Sequence, residues 1–235
     1  MTRNVVAVVI SASFAFPAGS VMRASNPASM VSLALVYDLT LAPVAVDLRS
    51  DSRLKLVLDV VAESLANRDT VRVGFVAGNV SWSRAFGVAD RVTLYSDVVR
   101  HVSMPVDAPL RWPALCDGLY DAVTSVAQDE GRRAIVVVAS GHSGGNVHSF
   151  DELVTHAREA HVSLSAVHAP WPEGRRGGSV EEYLDYWSRF PVSPSALLTK
   201  ITSATGGTYI APQPHVSGDL KQRLNNVLAA IRQKE

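Results

Sequence analysis

Arg132-Arg-Ala-Ile-Val-Val-Val-Ala-Ser-Gly-His-Ser-Gly-Gly145 is the stretch whose reading decides the fold. From Ala134 to Ala139 it is an unbroken apolar run rich in β-branched residues. It is too short for a helix and shows no polar alternation, the pattern of a strand buried on both faces in a parallel sheet. The run ends at Ser140-Gly141, and Gly141, Gly144 and Gly145 then impose a loop. Ligands of open α/β sheets bind where loops leave the carboxyl ends of strands. Ser140 to Val147 is therefore the first place to look for function.

Outward from that strand the pattern alternates. Val31 to Leu39 reads as a second buried strand ending at Asp38. Ser52 to Ala66 carries Leu54, Leu58, Val61 and Leu65 on one helical face. Val71 to Ala77 and Val80 to Phe86 read as a hairpin turning at Gly78-Asn79. A short helix is predicted from Ser96 to Val102, and another opens at Pro113 with Leu115, Leu119, Val123 and Val126 in one stripe. Ser149 to Glu152 and Ser179 to Glu182 are capping boxes, predicting helices to about Ala160 and Trp187. Val162 to His168 and Thr208 to Ala211 are strand-like, and Ala196 to Ala204 and the segment from Leu220 to Ile231 are helical. Strands alternating with helices predict a three-layer α/β/α sandwich, with a mostly parallel Rossmann-like sheet and one antiparallel edge strand.

Composition narrows the function. The 235 residues suit one α/β domain, and a formal net charge of zero argues against nucleic acid as a partner. The single cysteine, Cys116, leaves no internal disulfide and reads as a core residue. No apolar run reaches the roughly 18–20 residues of a transmembrane segment. Arg3, the apolar run from Val5 to Phe16 and the small residues Ala18 and Ser20 have the layout of a signal peptide over residues 1–20. On that reading the protein is exported; if the same residues form an edge strand instead, it is cytoplasmic.

Two local patterns suggest chemistry. Gly141-His142-Ser143-Gly144-Gly145 fits the nucleophile elbow of a serine hydrolase, with Asp185 or Asp219 and His215 in the required chain order. An elbow runs straight from strand into helix, whereas the next helix here is capped only at Ser149, so the glycine loop reads as a connection. His142, His148 and His156 lack metal-ligand spacing and read as solvated loop and helix histidines.

Five segments in order resemble the von Willebrand factor type A (VWA) domain, particularly VWA-related bacterial proteins. Leu35-Val-Tyr-Asp38-Leu-Thr40 stands where that family has a strand ending in D-x-S-x-S, and Asp69-Thr-Val-Arg-Val-Gly-Phe75 is similar to its second strand. Pro113-Ala-Leu-Cys-Asp-Gly-Leu-Tyr120 resembles its T-A-L-Y-D-A-L-Y helix, and Gly131 to Gly141 its G-R-R-A-I-V-V-L-T-D-G strand. Ala204-Thr-Gly-Gly-Thr-Tyr209 matches its A-T-G-G-x-Y/F ending. The resemblance places a VWA-like domain over residues 31–235. It also implies a magnesium-dependent adhesion site, but a degenerate one. Asp38, Thr40 and Ser140 occupy ligand positions, while Ala42 and Pro113 stand where hydroxyl ligands would be and Ser140 where a carboxylate would be. The expectation is a non-catalytic protein-binding module with no cofactor and at most weak Mg²⁺ binding. Arg111 and Trp112, with Trp171, Arg175 and Arg176, are the residues expected to meet an acidic protein surface on the same face. Arg223 and Arg232 on the last helix are expected to lie outside it.

Overall fold

The computed structural model describes residues 30–39, 51–76, 80–101, 114–144, 146–169, 193–211 and 219–233. Strand β1 (Val31–Asp38) leads to helix α1 (Ser52–Ser64), then β2 (Thr70–Val76), β3 (Val80–Gly87) and α2 (Leu94–His101). Next come α3 (Leu115–Val126), β4 (Arg132–Ala139), α4 (Phe150–Glu159) and β5 (Val162–His168). Helix α5 (Pro194–Ala204), β6 (Tyr209–Ile210) and α6 (Asp219–Gln233) follow. The sheet order is β3-β2-β1-β4-β5-β6, and every pair is parallel except β2 with β3.

The apolar run expected to be buried on both faces is so. Ala134, Val136 and Val138 point into one core with α1, α2 and α6, and Ile135, Val137 and Ala139 into the other with α3, α4 and α5. β1 divides the same way, with Leu33, Leu35 and Tyr37 on the first side and Ala34 and Val36 on the second. The sheet thus lies between two helical layers, a six-stranded, mostly parallel α/β sandwich. Tyr37 is fully buried, and its hydroxyl donates to Asp51, whose carboxylate also caps α1 through the amides of Arg53 and Leu54.

Three helix starts differ from expectation by two residues. α2 begins at Leu94 rather than Ser96, α3 at Leu115 rather than Pro113, and α5 at Pro194 rather than Ala196. In α5, Ser193 accepts from the Ala196 amide and Pro194 occupies the first turn, where its missing N–H costs nothing. The signal lay two residues upstream of the apolar stripe. The capping box at Ser149 and Glu152 forms as read. The predicted helix from Ser179 to Trp187 lies outside the described residues.

The ending Ala204 to Tyr209 closes the sheet by side-chain substitution for a missing strand. Thr205 Oγ1 accepts from the Leu164 amide at 3.1 Å, and the Thr208 carbonyl accepts from Ala166 at 2.8 Å. Between them the backbone presses on β5 so closely that a Cβ on Gly207 would sit 1.6 Å from the Leu164 carbonyl oxygen. Gly206 has φ +73° but open space around it. Gly207→Ala should therefore cost at least about 2 kcal/mol by overpacking against backbone, and Gly206→Ala only about 1 kcal/mol from the left-handed conformation. Urea denaturation of both variants checks this; the opposite order would show that β5 and the Gly207 turn are not in contact.

Candidate functional site

β1 pairs with β2 on one side and β4 on the other, so the chain reverses its direction of travel across the sheet between β1 and β4. Crevices of open α/β sheets form at that switch point, at the carboxyl ends. The residues there are Asp38 and Ser140, which are 0% and 1% exposed. Asp38 Oδ2 accepts from the Ser140 amide at 3.1 Å and from Ser140 Oγ at 2.8 Å. Ser140 Oγ in turn accepts from the His142 amide at 3.3 Å, across Gly141 at φ +78°. A buried carboxylate is costly unless donors meet it, and here the residue that follows the neighbouring strand supplies two.

His168, at the end of β5, stands beside this pair. Its Nδ1 lies 3.1 Å from the Tyr209 hydroxyl, and its carbonyl accepts from Arg223 Nη1. Arg223 is only 6% exposed and holds α6 to the end of β5, while Arg232 pairs with the buried Asp69 at the opposite end of the sheet. Both arginines expected to be bystanders are structural. Burial pushes His142 down to about 4, helped by neighbouring His168. His168 is lowered by burial and by the Arg223 cation, against a hydrogen bond to the Ser140 backbone.

The glycine loop is bound to the first turn of α3. Ser143 Oγ accepts from the Leu115 amide at 3.1 Å, and Asn146 Oδ1 from the Cys116 amide at 2.9 Å. Ser143 and Asn146 also bond each other. In the other direction, Asp117 accepts from the Val147 amide at 2.9 Å, the His148 amide at 2.7 Å and His148 Nδ1 at 2.9 Å. Burial alone would raise the Asp117 carboxyl, but those amides and the ring hold it below the usual carboxylate range.

The histidines are not the solvated set expected from sequence. His142 is drawn in beside His168, whereas His148 and His156 stack on opposite faces of Tyr120 with ring centroids 3.9 Å and 4.2 Å away. His156 Nε2 also lies 2.9 Å from Thr124 Oγ1. Packing of α3 on α4 creates this stack, and a pattern within either helix could not disclose it. Among the described residues no group of three or more His, Cys, Asp or Glu is placed to hold a metal ion. Ser143 has Leu115 and Asn146 as hydrogen-bond partners, with no histidine among them. α4 does not begin until Phe150.

Of the other candidate residues, Thr40, Arg111, Trp112, Trp171, Arg175, Arg176, Asp185 and His215 lie outside the described residues, as do residues 1–20. Asp219 opens α6. Among the described residues no helix is long and apolar enough to cross a membrane.

No family model matches the sequence, and no curated protein matches it. Solved structures do match the fold. An aerotolerance-related membrane protein from Bacteroides fragilis is 17% identical, with a TM-score of 0.55 over 85% of this chain and 99% of that one. BatB from Bacteroides thetaiotaomicron is also 17% identical, with a TM-score of 0.55 over 86% and 98%. A von Willebrand factor type A protein from Catenulispora acidiphila is 11% identical, with a TM-score of 0.54 over 88% of this chain and 43% of that one. These likenesses define an α/β sandwich of one type. The chain has the von Willebrand factor type A fold.

The lowered histidines set an acid limit on stability. The unfolded chain takes up these protons near 6.5, whereas folded His142 does so only near 4. Their contribution is complete above about pH 6.5 and is lost as pH falls toward 4. Melting temperature should drop across that window, and His142→Asn should flatten part of the drop. Stability unchanged from pH 7 to 4.5 would contradict the burial of both rings.

Proposed function

We propose that this chain is a non-catalytic, protein-binding VWA-type module whose switch point is closed by a hydrogen-bonded pair in place of a metal. The observation that carries this reading is that Ser140 gives both its N–H and its O–H to Asp38 Oδ2. Octahedral Mg²⁺ needs hard oxygen ligands at about 2.0–2.1 Å and favours carboxylates. The described donors at the switch point, one carboxylate and one hydroxyl already joined to each other, do not fit that requirement. Of the remaining ligand positions in the sequence, Ala42 and Pro113 add no side-chain oxygen and Thr40 adds a neutral hydroxyl, not a carboxylate. The surface at the carboxyl ends then binds through side chains, for which Arg111, Trp112, Trp171, Arg175 and Arg176 supply the anchor types, and the partner is a protein with an acidic surface. The layout of residues 1–20 supports export of a mature protein that begins near Val21 and carries the domain over residues 31–235.

The serine hydrolase alternative finds little support, because Ser143 Oγ is occupied in capping α3 and in its pair with Asn146. A fluorophosphonate probe should leave Ser143 unlabelled, and stoichiometric labelling would restore the enzymatic reading.

Millimolar Mg²⁺ or Mn²⁺ should leave the melting temperature where chelator leaves it, since a ligand at 100 times its Kd would add about 2.7 kcal/mol. Asp38→Ala should cost about 1–3 kcal/mol by stranding the two Ser140 donors. A metal-dependent rise in melting temperature that Asp38→Ala abolishes would overturn the proposal. Once a partner is in hand, Trp171→Ala with Arg175→Ala should weaken binding roughly thirtyfold or more. Lys55→Ala, on the exposed side of α1, should not.

A further inference from the structure

The contacts between α3 and the glycine loop are reciprocal. The first two amides of α3 have no acceptor within their own helix, as at any helix N-terminus. Their acceptors are Ser143 and Asn146, side chains of the loop. Val147 is 86% exposed, yet its amide and that of His148 find their acceptor in Asp117, a side chain of α3. Each segment therefore supplies what the other's backbone lacks.

A second layer fixes the same junction from the side. An ionised carboxylate only accepts, so the Nδ1 of His148 carries the proton it gives to Asp117. Thr124 gives its one hydroxyl hydrogen to the Tyr120 carbonyl at 3.1 Å, so it accepts from His156 Nε2. With both tautomers set, the two imidazoles clamp Tyr120 from either face and join the end of the loop to α3 and α4.

We infer that Ser143, Asn146, Val147 and His148 form one cooperative unit with the first turn of α3, a two-way clasp that opens and closes as a whole. Its use in binding rests on the reading above: a loop held in one shape at the carboxyl ends loses little conformational freedom when a partner docks. The clasp itself needs no partner and is tested without one.

Hydrogen exchange resolved at single amides, on the full chain at neutral pH, reads it directly. In the wild type the amides of residues 115, 116, 147 and 148 should exchange slowly and at a common opening free energy. Asp117→Ala removes the acceptor for residues 147 and 148 only, but should accelerate all four by about tenfold or more. The double variant Ser143→Ala with Asn146→Ala removes the acceptors for residues 115 and 116 only, and should likewise accelerate all four. Either variant suffices if the other fails to fold, and protection of β4 amides reports folding. If each variant speeds only the two amides whose acceptor it lacks, the contacts are independent and the clasp does not exist. Fast exchange of residues 147 and 148 in the wild type would overturn it equally. Neither result bears on whether the surface binds a protein.

Discussion

A carboxylate with no solvent exposure at the end of the central strand sets the terms for the carboxyl end of this sheet. Asp38 is fully buried, and its charge must be met by donors that the fold supplies, among them the residue that follows β4. The parallel register of β1 and β4 carries Tyr37 beside Val138, so the next step along each strand sets Asp38 level with Ala139, and Ser140 follows one residue beyond the end of β4. A residue with both an amide and a hydroxyl donor can satisfy one carboxylate oxygen alone. That arrangement lets the two most buried strands end flush and gives the glycine loop a fixed point of departure, from which Gly141 turns His142 back over Ser140.

From that point the order of the site is built by exchange of polar groups between segments far apart in sequence. Ser140 serves Asp38, Ser143 and Asn146 serve α3, Asp117 serves the loop, and Arg223 serves the last residue of β5. Each bond contributes about 1 kcal/mol net, but each would cost more if one partner were left buried and alone. The lower end of the sheet is held in the same way, by Asp69 joining the Val31 and Ala66 amides to Arg232. The two cores supply the bulk of the apolar burial, while these polar ties determine where each strand and loop stops.

The fold was legible wherever a segment's own pattern sufficed. The run from Ala134 to Ala139 could be nothing but a doubly buried strand, and the Ser149 capping box marked α4 within its own four residues. The five matched segments carried the fold type although identity to solved structures stays at 17% or below in the neighbours compared. The site was less legible because its contacts are long-range. Nothing near Tyr120 reveals that His148 and His156 will stack on it, since that depends on how α3 lies against α4. An arginine on the polar side of an amphipathic helix reads as solvated, yet Arg223 is buried because the carbonyl of His168 needs a donor. Asp117 read as one letter of a helix motif, and only the folded loop shows what its carboxylate is for.

The central claim is that a hydrogen-bonded pair, and no cation, closes the switch point. The most direct measurement is a crystal of the protein soaked in Mn²⁺ and examined for anomalous scattering at Asp38. The account predicts no peak at coordination distance, about 2.0–2.1 Å for a hard octahedral cation, with Ser140 N and Oγ still bonded to Asp38 Oδ2. An anomalous peak on Asp38, with Ser140 turned away from it or joined to the ion, would contradict the account.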